Sequence, residues 1–391
     1  MISVSEALDH LFALAGPLDT ETVPLSQANG RVLAAPVQAR RDQPPFAGSA
    51  MDGYAVIGDE VQPGATFTVI GEAAAGHGFD GAVAKGQAVR IFTGAPVPQG
   101  ASRVVIQEDV IREGDTITLR DNLDQGTHIR PKGADFADGS DVTAPRLLGP
   151  SDIALLAAMN IAEVPVTRRP RVAILSTGDE LVMPGENPGP DQIIASNSFG
   201  LQAMLRDLGA EARLLPIARD TRASLETAFS LADDADLLIT IGGASVGDHD
   251  LVGEVAVDLG MERSFYKIAM RPGKPLMAGR LSSGAMMIGL PGNPVSAMVC
   301  GHVFVTPVIR AILGLGQEAV QARHATLAAP LTPNGPRQHY MRARIEDGQI
   351  TAFENQDSSL LTVLAAANAL LIRPPSDGAR EAGETMAYLP I

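Results

Sequence analysis

Cysteine is nearly absent: Cys300 is the sole thiol in 391 residues. One thiol excludes a disulfide within the chain and any multi-cysteine metal site, and it suits a reducing compartment. Its place in the apolar run "AMVCGHVF" favours a buried structural thiol over a nucleophile. Positive charge is also scarce, with 30 Lys and Arg against 45 Asp and Glu and a formal net charge of -15. That balance excludes the broad basic face of a nucleic-acid binder, so any anion must be caught locally. No apolar run approaches the roughly 20 residues of a membrane span. The segment "MISVSEALDHLFALAG" lacks a basic start and carries Glu6 and Asp9, so it reads as a helix opened by a Ser3 and Glu6 capping box rather than as a signal peptide. The expectation is a soluble, cytoplasmic protein with neither nucleic acid nor membrane as partner. There is no GxxxxGK[ST] nucleotide loop, no HxxxH-type ligand pair and no internal repeat.

What is present is a core. Hydrophobic residues make up 45% of the chain and charged residues 19%, enough for roughly two to four domains. The clearest rhythm runs from 171 to 314. "RVAIL", "ARLLPI" and "ADLLITI" read as buried strands. The helices "SNSFGLQAMLRDLG", "TRASLETAFSLADD" with Thr221 as N-cap, and "DLVGEVAVDLG" alternate with them. That alternation predicts a doubly wound, mainly parallel α/β domain over 169–316. Short β-rich runs broken by Gly, Pro and Asp make 46–139 an inserted, elongated β module. Its flanks, 1–45 and 140–168, form one discontinuous N-terminal domain, and strand-like runs with tight turns make 317–391 a small C-terminal β-barrel.

In an open α/β sheet ligands bind beyond the carboxyl ends of the strands. Three loops fall there: "STGDE" with Ser176, Gly178, Asp179 and Glu180; "GGASVGDHD" with Gly242, Gly243, Ser245, Gly247, Asp248 and Asp250; and "PGNP" with Pro291, Gly292 and Asn293. Their glycines and the helix start at Pro294 suit phosphate, and the strand-end acids Asp179, Glu180, Asp220, Asp248 and Asp250 are either hard carboxylates that could hold Mg²⁺ or orient a ribose, or the scattered surface acids of an acidic chain. "YKIAMRPGKP" places Lys267, Arg271 and Lys274 within eight residues, which is either a solvated basic face or a local anion trap. In "PPFAGSAMDGYAV" Asp52 precedes Gly53, where backbone could approach a ligand or an Asx turn could form. Thr93 in "FTGAPVP" offers a hydroxyl beside exposed amides, as a plain turn also would.

Together "PPFAGSAMDGYAV", "RIFTGAPVP", "RVAILSTGDEL", "GGASVGDHD", "IAMRPGKP" and "GLPGNPVSA" resemble, in order and over nearly the whole chain, the molybdopterin molybdenumtransferase family, called MoeA in bacteria and the E-domain in gephyrin. The resemblance implies the same four-part architecture and a homodimer. It also implies a reaction that takes adenylylated molybdopterin and molybdate, releases AMP and leaves molybdenum on the dithiolene. It puts functional weight on Asp52, Thr93, Glu180, Asp220 and Asp250, on Lys267, Arg271 and Lys274, on Arg130 and Asp135 in "IRPKGADF", and on Ser358 or Ser359 in "QDSSLL". It implies a shared site, with Asp52 and Thr93 of one subunit meeting Asp220 and Asp250 of the other. A molybdopterin adenylyltransferase stands upstream, and cofactor-accepting molybdoenzymes or their chaperones stand downstream.

The chain departs from the family pattern at several places. It has "FAGSAMDG" where Asn often precedes the Ser, Ala134 where an acid is usual, "IGGASVG" for "SGGVSVG", and Arg271 where lysine is frequent. An arginine fork and an ammonium are not equivalent. Two other readings compete. Molybdopterin adenylylation is disfavoured by the long insertion and the barrel. A gephyrin-like binding scaffold is disfavoured by the lack of a linker or fused partner domain.

Overall fold

The computed structural model describes residues 1–243 and 251–391. At its centre is a six-stranded sheet in the order Glu211–Leu214, Arg171–Ser176, Leu237–Ile241, Met286–Leu290, Met277–Arg280, Glu262–Tyr266. The first four strands run parallel and the last two add antiparallel, which makes the sheet mainly parallel, as the alternating sequence pattern predicts. Both faces are covered. Along Arg171–Ser176, Val172 and Ile174 pack into one core and Ala173 and Leu175 into another, so a strand with no polar side is what the fold requires. The helices Asn197–Asp207 and Pro294–Cys300 cover the first face, and Arg222–Ser230 and Leu251–Asp258 the second. Thr221 caps its helix through a side-chain bond from the Ser224 amide.

Pro294–Ile312 spans 19 residues at a mean hydropathy of 1.6. This corrects the expectation that nothing approaches membrane-spanning length. Its most apolar stretch is 78% buried within the fold, so the apolarity belongs to a core helix.

The first helix, Val4–Leu14, has the expected capping box: Ser3 Oγ accepts from the Glu6 amide at 3.1 Å, and Glu6 accepts from the Ser3 amide at 2.7 Å. Its apolar face, including Leu8, Leu11 and Phe12, packs into the central core. The strands Thr20–Pro24, Glu163–Thr167, Val32–Leu33 and Arg146–Leu147 form a separate four-stranded sheet over their own core. Between its halves lies the β module, a six-stranded sheet ordered Arg103–Ile106, Gly53–Val56, Gln87–Ile91, Thr66–Ala73, Thr116–Leu119, Val110–Glu113.

At the C-terminus Gln338–Glu346, Gln349–Ala352, Arg323–Leu327, Thr385–Pro390 and Ala369–Arg373 close into a five-stranded barrel, the last strand pairing back onto the first. Met270–Arg271, in the loop after the last central strand, pairs in parallel with Gln338–Glu346. The central domain is thereby stitched to the barrel, and the basic loop is fixed at the seam.

Candidate functional site

The four parallel strands end at one edge, and their loops surround a cavity of about 940 Å³. Ser176, Gly178 and Glu180 line it from the loop after Arg171–Ser176. Asp220 comes from the loop beyond Glu211–Leu214, Gly242 and Gly243 follow Leu237–Ile241, and Pro291, Gly292 and Asn293 follow Met286–Leu290. Ser245, Gly247, Asp248 and Asp250 lie outside the described residues.

Two of these glycines are there for steric reasons. A Cβ on Gly243, at φ +66, would stand 2.2 Å from Val252 Cγ2, so the loop can lie against the next helix only without a side chain. A Cβ on Gly178, at φ +145, would stand 2.3 Å from Glu180 Oε2, because the Glu180 side chain folds back over that glycine. Asp179 points its work elsewhere: its carboxylate accepts from the Asp220 amide at 3.3 Å and its carbonyl from Arg219 at 2.7 Å, tying the two acidic loops together.

Among the described residues this cavity is lined by three carboxylates, Glu180, Asp220 and Glu254, and by no lysine or arginine. The cations stand next door. Arg271, Lys274 and Arg337 line a second cavity of about 330 Å³, which shares Pro275, Pro291 and Asn293 with the first. Asn293 Nδ2 donates to Ser358 Oγ at 3.2 Å, and the Val295 amide donates to the Ser358 carbonyl at 3.1 Å, so a barrel loop closes the wall between them. Lys267 stands apart: it lines neither cavity, and its Nζ lies 4.9 Å from the Tyr266 ring centroid.

Asp52 and Thr93 meet each other in the β module. Asp52 Oδ1 accepts from the Thr93 amide at 2.8 Å and from Thr93 Oγ1 at 2.9 Å, and these two bonds hold the carboxyl below the usual carboxylate range. The carboxylate thus joins two segments rather than closing a local Asx turn. Gly53 is needed for packing: a Cβ there would stand 2.0 Å from the Val105 carbonyl, so the neighbouring strand takes the close approach that a ligand could have used. Neither Asp52 nor Thr93 lines the two cavities. Arg130 pairs opposite Gly48, and the Asp135 amide donates to the Gln43 carbonyl at 2.9 Å, which places both exposed side chains at the base of the module.

Among the described residues no cluster of three His, Cys, Asp or Glu could by itself hold a metal ion. Glu180 and Asp220 do line one cavity, and a pair of carboxylates completed by substrate phosphates and waters is the donor set that Mg²⁺ uses. Cys300 is fully buried, and burial pushes its thiol pKa up, which makes it a poor nucleophile.

Three family descriptions match the chain in succession: the MoeA N-terminal region (domain I and II) over residues 2–160, a probable molybdopterin binding domain over 173–311, and the MoeA C-terminal region (domain IV) over 324–391. The chain belongs to the MoeA family. A molybdopterin molybdenumtransferase of Nostoc sp. is 37% identical over 100% of this chain and 94% of its own length. Molybdopterin molybdenumtransferase 2 of Mycobacterium tuberculosis is 39% identical over 90% of each. The crystal structure of the molybdopterin biosynthesis MoeA protein from Pyrococcus horikoshii superposes with a TM-score of 0.86 at 28% identity, covering 100% of both chains.

Within this MoeA framework the cavities contain residues that motif reading passes over. Glu254 lines the carboxylate cavity from the helix Leu251–Asp258. Asn197 donates to the Gly292 carbonyl at 2.7 Å and fixes the "PGNP" loop. Arg337 and Ser296 line the cationic cavity. Arg337 belongs to the barrel, distant in sequence from the motifs, and only the pairing of Met270–Arg271 with Gln338–Glu346 brings it there.

Proposed function

We propose that this chain inserts molybdenum from molybdate into adenylylated molybdopterin, with release of AMP. The observation that carries the reading is the pair of adjoining cavities of opposite charge. A phosphoanhydride entering a cavity lined by carboxylates needs a countercharge brought with it, and a tetrahedral oxyanion suits a small neighbouring cavity where Arg271, Lys274 and Arg337 outnumber one carboxylate, Asp357.

Glu180 and Asp220, with Asp250, would hold Mg²⁺, which supplies charge neutralisation on the bridging phosphates. Gly242, Gly243 and the "PGNP" loop bring backbone amides against the phosphates. Arg271 and Lys274, joined by Arg337, bind the oxyanion, and Lys267 adds charge from a distance. Ser358 and Asn293 keep the wall between the cavities in place. Asp52, held ionised by Thr93, orients the attacking oxygen or takes a proton at the anhydride. Arg130 and Asp135 support the module that carries Asp52.

The protein acts as a homodimer in this reading, and each site combines Asp52 and Thr93 of one subunit with the cavities of the other. Support comes from the separation of the two groups within one chain, where Asp52 and Thr93 line neither cavity. Purified protein supplied with adenylylated molybdopterin, Mg²⁺ and molybdate should release AMP and form active cofactor in step. AMP release without molybdate, or robust adenylate formation from ATP and molybdopterin, would contradict it.

A further inference from the structure

We propose that Arg90 is a positioning residue that fixes the Asp52–Thr93 pair from beneath. The inference rests on the reading of Asp52 as a group at the reacting centre. Arg90 lies on Gln87–Ile91, directly opposite Tyr54 of Gly53–Val56 in an antiparallel register. Opposite residues share a face of the sheet, and so do residues two apart, so Tyr54, Arg90 and Phe92 present their side chains on one side. The guanidinium carbon lies over both rings, 5.1 Å from the Tyr54 centroid and 4.7 Å from that of Phe92. From there it donates to the Gly53 carbonyl at 3.1 Å and to Gln107 Oε1 at 2.7 Å.

Those two bonds reach the functional turn from both sides. Gly53 directly follows Asp52, and the Gln107 amide donates to the Asp52 carbonyl at 3.0 Å. Phe92 directly precedes Thr93. Arg90 therefore touches the peptide after Asp52, the residue that binds the peptide of Asp52, and the residue before its hydroxyl partner. A rigid fork lying over the two rings does this from two separate nitrogens, whereas a lysine ammonium presents no plane to the rings and has its three donors on one nitrogen. The motif "RIFTGAPVP" thus has a use for its first residue as well as for Thr93.

The test measures AMP release by Arg90→Gln, Arg90→Lys, Asp52→Ala and the Arg90→Gln/Asp52→Ala double variant, with melting temperatures alongside. Misplacing a reacting group by about an ångström costs up to roughly a hundredfold, so Arg90→Gln should lose ten- to a hundredfold in kcat with KM little changed. Arg90→Lys should not restore the rate. The double variant should be no slower than Asp52→Ala alone, because a residue acting through Asp52 has nothing left to position. Losses that multiply in the double variant, or a near wild-type kcat for Arg90→Gln while Asp52→Ala is slow, would overturn the proposal. If Arg90→Gln does not fold, Gln107→Leu, which removes one anchor of the guanidinium, decides in its place: an unchanged kcat refutes the idea. A wild-type rate for Asp52→Ala would instead remove the reading of Asp52, and the role of Arg90 with it.

Discussion

The β module and the central cavity hold their acids in opposite ways. Asp52 is an oriented carboxylate, bonded twice by Thr93 and set in a turn whose backbone is gripped by Gln107 and Arg90. Glu180, Asp220 and Glu254 are exposed on the wall of a cavity that contains no cation among its described residues. An oriented base and a set of open carboxylates are suited to different tasks: the first to placing one proton or oxygen, the second to receiving a cation that arrives with the substrate.

The largest effect should come from removing either kind of acid outright. Asp52→Ala and Asp220→Ala should each lower the rate of AMP release roughly a hundredfold or more while the melting temperature stays within a few degrees, since exposed loop acids seldom hold a core together. Calorimetry on both variants checks this, and parallel losses of stability and rate would make the acids structural. Excess chelator separates them further: it should abolish turnover while leaving the melting curve of the chain unaltered.

Gly178→Ala sharpens the same contrast from the other side. The new methyl must displace the Glu180 carboxylate from 2.3 Å and adopt a backbone conformation that L residues avoid. A roughly tenfold loss of rate, relieved in part by raised Mg²⁺, is the expected outcome. A rate insensitive to Mg²⁺ would dissociate Glu180 from the metal.

Thr93→Val keeps the amide donor to Asp52 and removes the hydroxyl donor. Since that hydroxyl helps hold the Asp52 pKa down, its loss should shift the acid limb of the pH–rate profile upward. An unmoved limb would separate Asp52 from the titration that governs the rate.

The smallest effect concerns the barrel seam. Burial, and then the charges of Arg271, Arg342, Arg373 and Arg337, push His339 down to about 4, while burial alone pushes His302 to about 4. The folded values lie below the unfolded one near 6.5, so the stability from both neutral rings is complete above pH 6.5 and declines as pH falls towards 4. His339→Gln should flatten that decline in urea titrations at pH 7 and pH 5, and a slope equal to wild type would contradict the assignment.

The legible part of this molecule is the part made by nearby residues. Strand–helix alternation exposes the central domain, and the strand ends alone place Glu180, Gly242 and Asn293 on one edge. The sequence reading also expects Lys267, Arg271 and Lys274 to act together, but strand pairing of Met270–Arg271 with the barrel turns the last two towards Arg337 and leaves Lys267 beside Tyr266. Arg90, Glu254 and Arg337 are invisible in the sequence for the same reason: their roles depend on cross-strand register, a helix face and the seam between two domains. Gly53 is a glycine whose purpose is misread locally, because the group that approaches it, the Val105 carbonyl, lies on another strand.

The central claim is that the oriented acid and the open cavity belong to different subunits of one site. Co-expressing inactive Asp52→Ala and inactive Asp220→Ala chains with two different tags, and isolating the mixed dimers, tests it most directly. Each mixed dimer rebuilds one intact site and one doubly damaged site, so isolated mixed dimers should recover about half of wild-type AMP release, and an unsorted random mixture roughly a quarter. Mixed dimers no more active than either parent would place the whole site within one chain.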